Sequence, residues 1–411
     1  MFDESKRLFS RAVKVIPGGI YGHTSPALLV PGEFPYYADH ARGCRYWDVD
    51  GNEFIDFLCS YGPIVLGHKH PDVEEVVRVQ MEKGNCFNHP TEKMVELAER
   101  LVSLVNFADW SVFAKNGSDV TTWTIQVARA YTHRKKLIRL AGSYHGAHAW
   151  CTPGHHGLIE EDRAHVHEFV WNDPDSLRRM TKIYRDQIAA VIITPYHHPS
   201  FAEIQMPAEG FLQEVESLCR EKGILLILDD IRGGFRLNLE GSHRLFQFEP
   251  DMICFSKALG NGYPISVALG RKELKVTASR VFLTGSYWNN PAPMVAALKC
   301  LDILQQEQVP GKLKKMGDKL ARGLEWAAQR HGQAIRITGP AATPFMTFTD
   351  ETNFRKMQAF CGFCARNGVF FHPHHNWFLC AAHNESDIEQ AVGVAESAFA
   401  FVSSHYPKDQ S

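Results

Sequence analysis

Asp229 and Lys257 carry the chemistry most readily read from this chain. Asp229 ends the run Ile224 to Leu228 in GILLILDD, and Lys257 follows Met252 to Phe255 in DMICFSK. Each run is short, wholly apolar and bounded by charge, as a strand buried on both faces would be. A carboxylate at the end of such a strand costs free energy unless it meets a positive charge. A buried lysine meets that need, and its amine can also form a Schiff base with a carbonyl compound. An aspartate facing a heterocycle can keep a ring nitrogen protonated, so that the ring accepts electrons. An ion pair between two strand ends explains these two residues equally well.

Other segments add to the pair. Phe113-Ala-Lys-Asn-Gly-Ser-Asp-Val120 reads as a strand, a Gly117-Ser118 turn and the start of a helix, VTTWTIQVARAYTHR. Backbone N–H groups at that helix start, with the Ser118 hydroxyl, can hold a phosphate. Gly142-Ser-Tyr144-His145-Gly146 follows the strand-like KKLIRLA, and an aromatic ring at such a junction can lie flat on a planar cofactor. A Schiff-base lysine, a ring-nitrogen aspartate and a phosphate site together meet the needs of pyridoxal phosphate.

These residues require elements to hold them. From about residue 56 to 300, short apolar runs (SVFAKNG, KKLIRLAG, AAVIITP, GILLILDD, DMICFSK, ISVALG) alternate with helical stretches. That rhythm predicts an α/β fold: a large domain with a mostly parallel sheet flanked by helices. Open parallel sheets bind ligands beyond the carboxyl ends of their strands, where Asp229 and Lys257 both fall. Residues 1–55 combine an amphipathic helix with aromatic-rich extended turns. Residues 301–411 read as helices followed by TPFMTFT, a helix, FFHPH and NWFLCAAH as strand–helix–strand, then a last helix near Ser386. The two ends are expected to form a smaller α+β domain.

Composition excludes other classes. Net charge is −2 with 22% charged residues, which points to neither nucleic acid nor a membrane surface. The N-terminus lacks a signal-peptide core, and no apolar run has bilayer length. Ten cysteines without framework spacing suit a reducing, cytoplasmic location. Cys361-Gly-Phe-Cys364 sits in a helical stretch, where spacing of three places both thiols on one face. His155-His156, His197-His198 and His372-Pro-His374-His375 lack the acidic partners of a zinc site, so no metal is expected.

From Ala12 to His383 the chain resembles the class III aminotransferases, of aspartate-aminotransferase fold (fold type I). The likeness is carried by YWDVDGNEFIDF, YGPIVLGHKHP, KNGSDVTTWTIQVARAYTHRKKLI, GSYHG, ILLILDDIRGGFR, SKALGNGYPISVALG and GSYWNNPAPMVAAL. It is closest to the glutamate-1-semialdehyde aminomutase-like branch. Within that branch IPGGIYGHTS, RAHVHEF, ITPYHHPSF and HPHHNWFLCAAH look like transaminases of fumonisin-type long-chain amino alcohols. The resemblance implies that Lys257 forms the Schiff base and shuttles the proton, while Asp229 pairs with the pyridinium nitrogen. Ile231 and Tyr144 would cover the two ring faces, with His145 beside them, and Gly117 and Ser118 would bind the phosphate. Ser286 would reach the phosphate of a partner subunit, which requires a homodimer with its active sites at the interface. Tyr21, Tyr61, Arg232 and Trp288 are the substrate-binding candidates, each also open to plain packing.

The implied activity moves an amino group from an amine donor to a keto acid such as pyruvate, through the pyridoxamine phosphate form of the cofactor. Departures from the family concern the substrate. Thr194 stands where many relatives have glutamate, Asp230 replaces a glutamate, and Arg232 replaces a small or apolar residue. Many relatives seat an α-carboxylate with a late arginine, and FFHPHHNWFLCAAH has none, although Arg232 or Arg236 could substitute. This favours a donor without a carboxylate beside its nitrogen, long-chain or bulky. The same cofactor residues also serve aminomutases and racemases, which recycle the amine within one substrate. A non-enzymatic dimer of this fold would be expected to have lost Lys257 or Asp229.

Overall fold

The computed structural model describes residues 1–22, 29, 33–199 and 201–406. Residues 23–25 of IPGGIYGHTS and residue 200 of ITPYHHPSF lie outside the described residues. The chain forms two compact units, one of Met1–His70, Ser200–Glu203 and Gly311–Ser411, the other of Pro71–Pro199 and Ile204–Pro310. The rhythm of the sequence had placed the divisions at 55 and 300.

The first unit contains β1 (Ala38–Arg42), β2 (Arg45–Asp48) and β3 (Glu53–Asp56), joined in an antiparallel meander. The second unit contains the sheet that matters for chemistry. Its strands are β4 (Trp110–Ala114), β5 (Lys136–Leu140), β6 (Val166–Phe169), β7 (Ile188–Ile193), β8 (Leu225–Asp229), β9 (Met252–Phe255) and β10 (Ser266–Gly270). The spatial order is β4-β10-β9-β8-β7-β5-β6. Pairs β5–β6, β5–β7, β7–β8 and β8–β9 are parallel, and only β10 runs against its two neighbours. Strands β7, β8 and β9 are buried along their whole length, which is why they read as unbroken apolar runs.

The helix Gly117–Thr132 packs on this sheet through Val120, Trp123, Ile125 and Val127, which join Trp110, Ile192, Ile227, Met252 and Ala268 in one buried cluster. Each large side chain so buried stabilises the unit by about 1.5–3 kcal/mol. The sheet edge and the start of this helix are thereby fixed relative to each other.

The C-terminal part of the first unit adds β11 (Ile335–Thr338), β12 (Phe345–Phe348) and β13 (Val369–Phe370), with helices Arg355–Arg366 and Glu385–His405. Strand β13 pairs in parallel with β3. Two expected strands differ from the structure, and two further strands appear. NWFLCAAH is not a ladder strand: backbone N–H groups of Trp377, Phe378, Leu379 and Ala381 go to Pro344, Phe57, Ala342 and Val65, so it pairs with no one strand among the described residues. FFHPH contributes only the end of the two-residue β13, because Pro373 carries no N–H for a ladder. Strands β6 and β11 were not anticipated, since VHEF and IRIT are short and polar or half-exposed at sheet edges. Cys361 and Cys364 lie buried in the helix Arg355–Arg366, their thiols pushed well up by burial, as packed hydrophobes.

Candidate active site

Asp229 and Lys257 converge because β8 and β9 are parallel neighbours in register. Asp229 stands opposite Cys254, and Lys257 follows three residues later, so both leave the same edge of the sheet. Lys257 has a left-handed backbone, φ 43°, at the start of the short 3-10 turn Lys257–Gly260. That conformation costs a non-glycine residue about 1–3 kcal/mol, and such strain gathers at functional positions. Burial pulls the Lys257 ammonium down to about 7; Arg232 adds to the effect, Asp229 opposes it, and Arg236 adds a smaller push. Nearly neutral solution therefore holds a sizeable fraction of free amine, which is what a base or nucleophile needs.

Asp229 is 5% exposed and well held. Its Oδ1 accepts from the Ile231 N–H at 3.2 Å, and its Oδ2 lies 2.8 Å from His145 Nδ1. His145 is itself buried, and Ser143 Oγ faces its Nε2 at 2.9 Å. Ser143 belongs to the GSYHG loop, but its short polar side chain carries no signal of this contact until the loop is folded. Asp230, the second acid of the pair, points elsewhere. It accepts from the Ser242 N–H and hydroxyl, each at 2.6 Å, while burial pushes its carboxyl up to about 7.

The phosphate candidates are equally specific. Asn116 and Asp119 form a capping box at the start of the helix Gly117–Thr132, with the Asn116 N–H donating to Asp119 Oδ2 at 2.9 Å. Ser118 Oγ accepts from the Ala147 N–H at 3.0 Å, and Thr121 Oγ1 donates to the His145 carbonyl at 2.9 Å. These bonds fasten the GSYHG loop over the helix start. The approach is so close that a Cβ on Gly146 would strike Ser118 Oγ, and Gly146 has φ 128°. A Cβ on Gly117 would strike Ile231 Cδ1. Ile231 thus lies directly over the helix start, while Tyr144 stays 39% exposed, a ring face left open to a flat ligand.

The remaining sequence candidates divide between the units. Arg232 is half-buried, with Tyr196, Asp229 and Tyr144 as its charge neighbours. Ser286 lies in a turn where the Cys86 thiol donates to its carbonyl at 3.7 Å. Trp288 packs partly buried on the core cluster of the second unit. Tyr21 and Tyr61 belong to the first unit, Tyr21 exposed and Tyr61 edge-on to His375 at 5.1 Å. Among the described residues no group of three or more His, Cys, Asp or Glu side chains is placed to hold a metal ion.

A depressed lysine, a fixed carboxylate, a helix start opening on Gly117-Ser118 and a partly exposed aromatic ring fit the four parts of pyridoxal phosphate: aldehyde, ring nitrogen, phosphate and ring plane. Comparison with known proteins agrees. A profile of the class-III aminotransferases matches residues 30–382. An aminopentol aminotransferase of Sphingopyxis macrogoltabida is 41% identical over 397 residues, 97% of this chain and 94% of that protein. A glutamate-1-semialdehyde 2,1-aminomutase of Desulforamulus reducens is 32% identical over 427 residues, 97% of this chain and 98% of that protein. The structure of the pyridoxal-phosphate internal-aldimine form of the Sphingopyxis sp. MTA144 FumI protein superposes with a TM-score of 0.95 at 40% identity, covering 97% of this chain and 96% of that one. The chain therefore belongs to the class III aminotransferases and is a pyridoxal-phosphate-dependent enzyme of fold type I.

Proposed function

We propose that this aminotransferase takes its amino group from a donor with no carboxylate beside the nitrogen, a long or bulky aliphatic amine, and passes it to pyruvate or a similar keto acid. The observation that carries the donor class is the segment from Phe370 to His383, which contains no arginine to seat an α-carboxylate. The 41% identity to an aminopentol aminotransferase supports the same reading.

Bound pyridoxal phosphate supplies an aldehyde that takes up the amino group and a cationic ring that accepts the electrons of the broken C–H bond. The protein's residues do the rest. Asp229 holds the proton on the ring nitrogen, so that electrons flow toward the ring. Lys257 Nζ would hold the cofactor's aldehyde carbon at rest and, as a free amine, would serve as the base that moves the substrate proton. Gly117 and Ser118 anchor the phosphate at the helix start, where N–H groups and the helix dipole favour an anion. Ile231 and Tyr144 would cover the two faces of the ring and hold its plane.

We read the working enzyme as a homodimer in which Ser286 reaches the partner's phosphate. Phe282 and Tyr287, close to Ser286 in sequence, are 83% and 69% exposed, as residues awaiting a partner surface would be. Ten free cysteines suit a cytoplasmic location. No helix among the described residues is long and apolar enough to cross a membrane. The likeness to an aminomutase supports one second reading, amine transfer within a single substrate.

Absorbance of the cofactor separates the two. Adding an alkyl amine should bleach the resting band, and pyruvate should restore it. A band indifferent to both reagents would sink the transaminase reading in favour of the mutase.

A further inference from the structure

Lys115 sits between the end of β4 and the helix Gly117–Thr132, where two effects work against a cation. It is half-buried, and it lies beside the positive end of the helix dipole. Lys319 and Lys356, also half-buried, each hold a carboxylate, at 2.7 and 2.8 Å. Lys115 has no ion pair and no hydrogen bond among the described residues. Burial pulls its ammonium down to about 8, and the Cys86 thiol opposes that pull. A cation so placed costs stability in the single chain, and an anion arriving from outside the chain would offset that cost.

The surroundings point to a source for that anion. Three segments of the second unit meet here: Lys115, the loop after the helix Pro71–Lys83, and the turn before the helix Pro291–Gln306. Cys86, the thiol neighbour of Lys115, donates to the Ser286 carbonyl at 3.7 Å. Phe87 and Tyr287, next in sequence to the two residues that touch, are both exposed. An ammonium among such rings suits a surface that a second copy of the chain covers. Charge says what it meets there. A phosphate monoester carries about −1.5 to −2 charges at pH 7. The helix start at Gly117 and Ser118 answers with neutral donors and a dipole worth roughly half a positive charge. Asp119, in the same first turn, already takes up part of that.

We propose that Lys115 joins Ser286 in reaching across the dimer to the partner's cofactor phosphate, and supplies the positive charge that Gly117 and Ser118 lack there. This rests on the reading that the enzyme is a dimer in which Ser286 reaches that phosphate. Because Cys86 joins the two residues, what Ser286 meets on the partner lies close to Lys115 as well. Lys115 is a cofactor-binding residue and takes no part in proton transfer. Its effect is to tie cofactor affinity to assembly: a separated subunit keeps Lys257 but loses the ammonium at its phosphate. By linkage, bound cofactor then strengthens the dimer by the same factor.

The test is equilibrium titration of the full-length apoprotein with pyridoxal phosphate, read by absorbance, in Lys115→Met and Lys115→Arg. Loss of one charge-assisted hydrogen bond should raise the dissociation constant about ten- to a hundredfold in Lys115→Met. Lys115→Arg keeps the charge and should stay close to native. Mixed dimers then place the ammonium. When one subunit carries Lys257→Ala, the Schiff-base band reports only the site of the other. Lys115→Met on the Lys257→Ala subunit should weaken that site, and on the reporting subunit should leave it as native. Native affinity in the Lys115→Met homodimer overturns the proposal, and so does weakening caused only by the change on the reporting subunit. Sedimentation separates this from the reading beneath it. A native monomer removes the dimer and the proposal together. A dimer that loses affinity in Ser286→Ala but not in Lys115→Met keeps the dimer reading and overturns the role of Lys115.

Discussion

At the scale of single residues, Lys257 sets the sharpest expectations. With its ammonium pulled to about 7, the amine is protonated and useless as a base in acid. With alkyl amine and pyruvate, kcat should fall about tenfold per pH unit below 7 and level off above it. A flat kcat profile from pH 5 to 8 would remove Lys257 from the proton transfer. Lys257→Ala should lower kcat by about 10²–10⁴-fold. The same depression costs folding stability while the cofactor is absent. Between about 7 and the ordinary 10.5, the unfolded lysine binds a proton that the folded one has released. The unfolded state holds more protons there, so stability rises with pH across that window; the cost is fully present below 7 and gone above 10.5. Lys257→Met should therefore melt higher than native apoprotein at pH 7, with the gap closing by pH 10. A constant gap would show that the lysine is not depressed.

At the scale of elements, two junctions hold the site. One is the contact of the GSYHG loop with the start of the helix Gly117–Thr132. Gly146→Ala adds both a positive-φ penalty and a collision with Ser118, and should cost about 1–3 kcal/mol. Because Ser118 must give way, pyridoxal phosphate should also bind more weakly, read by equilibrium titration of the apoprotein. Native affinity in this variant would mean that Ser118 is not at the phosphate. The other junction is the turn after β8, where Asp230 satisfies the Ser242 N–H and hydroxyl. Asp230→Ala orphans both buried donors at about 1–3 kcal/mol each, measured by urea denaturation. Asp230 was legible in sequence only as a shortened glutamate; its partner lies twelve residues away, beyond a turn that no periodicity marks.

At the scale of the whole molecule, the cofactor is a stabilising ligand for the folded chain. At 100 times its dissociation constant, pyridoxal phosphate should stabilise the protein by about 2.7 kcal/mol through mass action. Differential scanning calorimetry with increasing cofactor tests this, and Lys257→Ala should show a smaller gain because the covalent link is lost. A native melting temperature indifferent to cofactor would contradict the assignment of the site. Ser286→Ala should weaken cofactor binding if Ser286 serves a partner's phosphate, and sedimentation should show a dimer. A monomer with full cofactor affinity would exclude that arrangement.

The sequence by itself determined the strands β7, β8 and β9, because burial on both faces demands unbroken apolar runs that no other element uses at that length. It also determined the residues that end them, since a charge at the close of such a run has to be placed deliberately. Only the tertiary structure decided what stands behind those residues. Parallel register brings Asp229 and Lys257 to one edge. The close packing of Gly146 on Ser118 joins a loop to a helix start 28 residues earlier in the chain. Ser143 and His145 acquire meaning when that loop delivers them to Asp229, 84 residues on from His145. Which groups meet in the folded loop does not follow from their order along the chain, so no spacing rule in the sequence could have announced these contacts.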